Sequence, residues 1–161
     1  MTDYFLDSSA LVKRYFLETG SQWVLAITDT AAGHSILLAE ISLAEVAAAA
    51  AAKHRAPLGI SLQVRDRTVG RFLQECAQQF VLLRVDRPVI DVAVKLTQTY
   101  RWRGYDAVQL AAALVNDQNL IAAGRPGLTF VSADADLLLA AQAEGLATEN
   151  PLTYTSPDAT L

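Results

Sequence analysis

At 161 residues the chain has the length of one domain with a proper core, and its 52% hydrophobic and 19% charged composition lies outside the disordered regime. No apolar run approaches the roughly 18 residues of a membrane span, and Met1-Thr2-Asp3 lacks the basic opening of a signal peptide. The single cysteine, Cys76, excludes an internal disulfide and a thiolate zinc cluster, so a cytoplasmic protein is expected, and a net charge of −4 excludes a polycation that coats nucleic acid.

The elements follow in chain order. YFLD predicts a short buried strand over residues 3–7, and SSALVKRYF a first helix over 8–17. Gly20-Ser21 interrupts the pattern, QWVLAITDTAA has helical spacing with Trp23, Ile27 and Ala31 on one side, and Gly33 ends it. HSILLA predicts a second strand. Ile41 to His54 is helix-forming throughout, with six consecutive alanines at Ala47–Ala52 that suit a closely packed helix, and Pro57 lies just beyond. Residues 58–79 alternate apolar and polar positions at helical spacing, FVLLRV (80–85) predicts a third strand, and Pro88 fits the first turn of a helix over 88–101. Gly104 separates that helix from another at 105–118. A loop at 124–127 leads to the strand LTFVS, and DADLLLAAQAE forms a last helix stopped by Gly145. The expected organisation is one domain over 1–150 and a loose tail over 151–161.

Short apolar strands alternating with helices predict an α/β fold with a mainly parallel sheet covered on both faces. No GxGxxG follows the first strand and no GxxxxGK[ST] occurs, so neither a dinucleotide site nor a phosphate loop is supported. Without GxSxG, and with only His34 and His54, a serine triad has little support; both histidines read as structural or solvated. Charge is distributed unevenly. Residues 1–52 carry two basic and six acidic side chains (net −4), residues 53–103 ten and four (net +6), and residues 104–161 one and seven (net −6). This is either surface decoration or a basic wall for a phosphate backbone beside a site built from acids.

Four acids stand where such a site would form. Ligands of open α/β sheets gather at the carboxyl ends of the strands, where Asp7 follows YFL, although Asp is also a preferred helix cap. Glu45 fits the capping box S-x-x-E with Ser42, yet it shares its helical face with Ile41, Ser42, Ala48 and Ala49, where a buried carboxylate needs a partner. Asp106 opens AVQLAAAL and points along the side of Leu110, Ala113 and Leu114. Asp134 repeats the arrangement around Asp7, with Asp136 as an alternate or supporting acid. An all-oxygen cluster without His or Cys suits Mg²⁺ or Mn²⁺, which bind phosphate oxygens and lower the pKa of a bound water.

At these residues the chain resembles the PIN-domain family of metal-dependent ribonucleases, in particular VapC-type toxins of toxin–antitoxin pairs. YFLDSSALVK is similar to the family's D-[ST]-S-x-L opening, ISLAEV to its [ST]-x-x-E segment, RGYDAVQLAAAL to its D-A-x-x-L-A-x-A helix start, and FVSADADLLLAAQAEGL to its [TS]-x-D-x-x-[FL] segment. The likeness covers nearly the whole chain and maps the four family acids onto Asp7, Glu45, Asp106 and Asp134. It departs at Gln109, where the family often has His. The resemblance implies a Rossmann-like three-layer α/β/α fold, a Mg²⁺ or Mn²⁺ site, an RNA substrate, a homodimer and a small cognate antitoxin.

The resulting expectation is an endoribonuclease in which Asp7, Asp106 and Asp134 hold the metal, with Glu45 and Asp136 as further candidates and Glu45 orienting a second ion or the attacking water. Ser8 or Ser9 would contact a ligand water or cap the first helix. Lys13, Arg14, Arg101 and Arg103 are candidates to guide the RNA backbone, and Trp102 either stacks on a base or is half-buried. One rival is a phosphatase of the haloacid dehalogenase type, disfavoured because Ser8-Ser9 stand where a second Asp is normal. The other is a non-catalytic PIN-like binding module whose acids survive as caps.

Overall fold

The computed structural model describes residues 1–154. Five parallel strands, β1 (Asp3–Leu6), β2 (Ser35–Ala39), β3 (Val81–Leu83), β4 (Thr129–Val131) and β5 (Ala147–Glu149), form one sheet in the order β3-β2-β1-β4-β5. The helices are α1 (Ser8–Leu11), α2 (Ser21–Ile27), α3 (Ser42–Arg55), α4 (Leu62–Gln78), α5 (Arg87–Thr99), α6 (Gly104–Ala122) and α7 (Ala135–Ala143).

Alternate residues of each central strand enter opposite cores, because strand side chains alternate in direction. Phe5, Leu37 and Phe130 join residues of α5, α6 and α7, whereas Leu6, Leu38 and Val131 join residues of α1 to α4. That double burial is why the strands read as continuous apolar runs, and it makes the expected three-layer α/β/α architecture. Phe5 and Phe130 are register partners and stack with ring centroids 5.6 Å apart.

The chain starts at the centre, winds outward through β2 and β3, then returns through α5 and α6 to β4 on the other side of β1. The β1/β4 boundary is therefore the topological switch point, where helices leave to opposite faces and a crevice opens at the carboxyl ends.

Several elements differ from expectation. The first helix ends early, with α1 passing into a 3-10 turn over Val12–Arg14. The second stops at Ile27, leaving Ala31 exposed in a separate 3-10 turn. The helix after Gly104 runs longer, to Ala122, and β5 stands at the sheet edge where no strand is predicted. The tail begins packed rather than loose. Pro151 is fully buried, and the Tyr154 ring stacks on Trp23 of α2 at 4.5 Å. Gly20 permits this docking, since a Cβ there would stand 2.5 Å from the Pro151 carbonyl oxygen and its φ is +85°. The rest of the expected tail, 155–161, lies outside the described residues. No helix among the described residues is long and apolar enough to cross a membrane.

Candidate active site

Asp7 leaves β1 at the switch point and is only 5% exposed. Its backbone N–H continues the ladder to the Val131 carbonyl at 3.1 Å, which fixes the carboxylate beside the end of β4. Oδ1 accepts from the Ala10 N–H at 2.9 Å, so Asp7 itself caps α1, not Ser8 or Ser9 as expected. Ser9 and Ser132 are instead its hydroxyl donors, each 2.8 Å from one carboxylate oxygen. Those serines in turn accept from the backbone of the β4–α7 turn, Ala133 N–H to Ser9 at 2.9 Å and Asp134 N–H to Ser132 at 3.0 Å. With both hydroxyl oxygens receiving N–H groups, both hydroxyl hydrogens are directed at Asp7. Even so, burial dominates and lifts the Asp7 carboxyl to about 6, against those hydrogen bonds and with help from the Glu45 charge.

Glu45 is not part of a capping box. α3 has Ile41 at its cap position without a side-chain bond, and Ser42 already lies inside the helix. The Glu45 carboxylate instead reaches across to α1 and α6, where Oε2 accepts from the Ser8 hydroxyl and from the Gln109 amide. Gln109 also bonds Ser8 and Ser42, each at 3.0 Å.

Asp106 does not cap α6 either, since Arg103 holds that position. It is half-buried, and burial raises its carboxyl above the ordinary range; the Arg103 backbone N–H opposes this and the charge of Asp134 adds to it. Asp134 is exposed and caps α7, its Oδ1 accepting from Asp136 and Leu137 N–H groups at 2.9 and 3.1 Å. Asp136 is exposed and lines an open cavity of about 340 Å³ with Arg101, Trp102 and Leu139. The charge of Glu45 is thus felt at Asp7, and that of Asp134 at Asp106.

Among the described residues, no three His, Cys, Asp or Glu side chains are grouped closely enough to hold a metal as they stand. The donor set nevertheless fits a hard divalent cation in chemistry: it is all oxygen, and like charges in each pair call for a countercharge.

The basic candidates separate into two groups. Arg14 is withdrawn from RNA contact, because its guanidinium is bonded to Glu75 at 2.9 and 3.1 Å and to Thr28 at 2.6 Å. Lys13 is buried, with its ammonium 3.2 Å from Glu18. Both sit in the turn that replaces the end of the expected first helix, which redirects them inward. Arg101 and Arg103 are exposed. Trp102 is half-buried and stacks on Tyr100 at 4.4 Å. Two polar residues had no role from sequence, Ser132 and Gln109. The visible signal for Gln109 was a lone amide among Ala107, Leu110, Ala111 and Ala113, all wholly buried.

A family model for the PIN domain matches residues 4–137. No curated protein matches the chain in sequence. Among solved structures, FitAB bound to an IR36 DNA fragment is 18% identical with a TM-score of 0.63, covering 92% of this chain and 95% of that one. VapBC2 from Rickettsia felis, bound to a DNA fragment from its promoter, is 13% identical with a TM-score of 0.63, covering 92% and 98%. VapC20 of Mycobacterium tuberculosis, a toxin that cleaves the sarcin–ricin loop, is 12% identical with a TM-score of 0.58, covering 89% and 96%. At these identities the likeness is one of fold. The family match spans most of the chain, from the tyrosine that opens YFLD into the first turn of α7, and the chain belongs to the PIN-domain family.

Proposed function

We propose that this protein is a Mg²⁺- or Mn²⁺-dependent endoribonuclease, acting as the toxin of a toxin–antitoxin pair. The observation that carries this reading is Asp7. It is a carboxylate buried at the switch point of the sheet, kept there at an energetic cost and coupled to a second acid, as functional groups are and simple caps are not. Asp7, Asp106 and Asp134 would hold the cation, with Glu45 and Asp136 as further candidates. When bound, the cation supplies charge neutralisation at the scissile phosphate and a more acidic water. The chain's own residues do the rest. Ser9 and Ser132 keep the Asp7 carboxylate oriented, Glu45 is aimed from α3 by Ser8 and Gln109, and Arg101 and Arg103 offer exposed charge to the RNA backbone.

The similarity to FitAB, VapBC2 and VapC20 supports the toxin role, an antitoxin partner and RNA as the substrate class. A homodimer belongs to the same reading; exposed apolar side chains such as Ile90, Val94 and Leu139 are available for a protein partner. Asp7→Asn abolishes divalent-ion-dependent RNA cleavage while the fold persists, and full activity in that variant would sink the assignment. Growth arrest on expression, relieved by the product of a small neighbouring reading frame, tests the toxin role.

One observation favours the non-catalytic alternative. Asp7 and Asp134 do cap helices, and no three acids among the described residues converge. Isothermal titration separates the two readings, because a binding module takes up no divalent ion.

A further inference from the structure

Gln109 is 3% exposed and projects from a stretch of α6 otherwise lined by alanine and leucine. Burying an amide there is unfavourable unless its hydrogen bonds are made. The two hydrogens of its Nε2 are shared among three acceptors, Glu45 Oε2 at 2.5 Å and the Ser8 and Ser42 hydroxyls at 3.0 Å each. Its Oε1, by contrast, has no partner among the described residues.

That asymmetry fixes the direction of the amide. The Ser42 hydroxyl could donate equally well to an amide oxygen, so it does not choose the orientation, while the single O–H of Ser8 is already given to Glu45. The Glu45 carboxylate is an acceptor here, and it requires the –NH₂ edge. The amide therefore faces Glu45 as a donor and leaves its own oxygen unpaired. Turned the other way, the amide oxygen would meet the Ser42 hydroxyl but would also stand against the Glu45 carboxylate, oxygen to oxygen. The bonds to Ser8 and Ser42 then hold the donor in place, while Ser8 adds a second hydrogen bond to the same carboxylate oxygen. With Oε2 taken twice, Oε1 of Glu45 is the oxygen left for the site.

We propose that Gln109 is the positioning residue of Glu45, orienting one carboxylate oxygen inward so that the other faces the ion or water of the active site. The inference rests on the proposed role of Glu45 and deepens it. Outer partners of this kind typically change metal affinity or activity by about 10–100-fold when removed.

The test is a double-mutant cycle of Gln109→Met and Glu45→Ala in the full chain. It is read by Mn²⁺ titration calorimetry without RNA and by kcat and KM on a single-stranded RNA. Gln109→Met is expected to weaken Mn²⁺ binding about tenfold and to lower kcat with KM unchanged. In the Glu45→Ala background it should change neither. Gln109→Asn keeps the amide but withdraws the donor by one methylene, and serves if the methionine variant does not fold; it should shift Mn²⁺ affinity in the same direction. Wild-type Mn²⁺ affinity and kcat in the Gln109 variants, or equal losses with and without Glu45, overturn the positioning role. Wild-type behaviour of Glu45→Ala overturns the role of Glu45 itself, which is a separate result.

Discussion

Asp7→Asn should stabilise the metal-free protein at neutral pH, and the size of the gain follows from the cradle around the carboxylate. Burial lifts the carboxyl from 3.8 to about 6 in the folded protein. Between those values the folded state holds a proton that the unfolded state has released, so stability falls as pH rises through this window and stays low above it. At about 1.36 kcal/mol for each pH unit of difference, the ionised Asp7 costs the fold about 3 kcal/mol above pH 6. Asparagine is equally good at a helix cap and can still accept from the Ala10 N–H, while its –NH₂ meets the hydroxyls of Ser9 and Ser132 as acceptors. The substitution should therefore recover about 1–3 kcal/mol at pH 7.5, and almost nothing at pH 3.5, where Asp7 is protonated in both states. Urea unfolding in EDTA across that range measures the difference directly. Adding Mn²⁺ should narrow the gap from the wild-type side, because an ion that binds only the folded state stabilises the protein that binds it. A variant no more stable than wild type at pH 7.5, or one equally stabilised at every pH, would refute the reasoning.

Glu75, which accepts from Arg14, Tyr15 and Arg71, responds to pH in the opposite sense. Despite burial, those partners hold its carboxyl down from 4.5 to about 2, so its contribution is complete above pH 4.5 and is lost as pH falls towards 2. Glu75→Ala leaves Arg14 buried without its partner and should cost about 3–5 kcal/mol in urea unfolding at pH 7. Arg101→Ala and Arg103→Ala should each raise KM for RNA and reduce the slope of log KM against log salt by about one, with kcat and melting temperature unchanged. Gly20→Ala should destabilise by about 1–3 kcal/mol, because φ is +85° and the added methyl meets the Pro151 carbonyl oxygen; a loss no smaller in a chain truncated after Asn150 would show that contact with the tail is not the cause.

Much of this was legible in the sequence wherever a local pattern carried the information. The apolar runs around Phe5, Leu37 and Phe130 read as strands because each is buried on both faces, and Asp7 and Asp134 fall between a strand end and a helix start. β5 was missed because Ala147–Glu149 carries no apolar run; its burial is partial and it forms by adding to the edge of β4. Lys13 and Arg14 looked like a basic patch because spacing says nothing about Glu18 and Glu75, one of them 61 residues away in sequence from Arg14. The alanine run suggested uniformly close packing, yet only Ala50 within it is fully buried, and Ala48 and Ala52 face outward. Gln109 was registered as a departure from the family pattern rather than as a hub, since its three partners lie on two other helices.

The site has a fixed half and an adjustable half, and the hydrogen bonds decide which is which. Every bond to Asp7 comes from the backbone of α1 or from serines that are themselves anchored by the β4–α7 turn, so moving its carboxylate would break several bonds at once. Glu45 is likewise held by Ser8 and Gln109. Asp134 is exposed and, among the described residues, accepts only through Oδ1, and Asp106 is only half-buried. A bonded, buried centre with a more exposed rim is compatible with the proposed divalent-ion site. On the proposed reading, Asp7 and Glu45 would be preorganised, and adjustment on ion binding would fall to the more exposed Asp106 and Asp134.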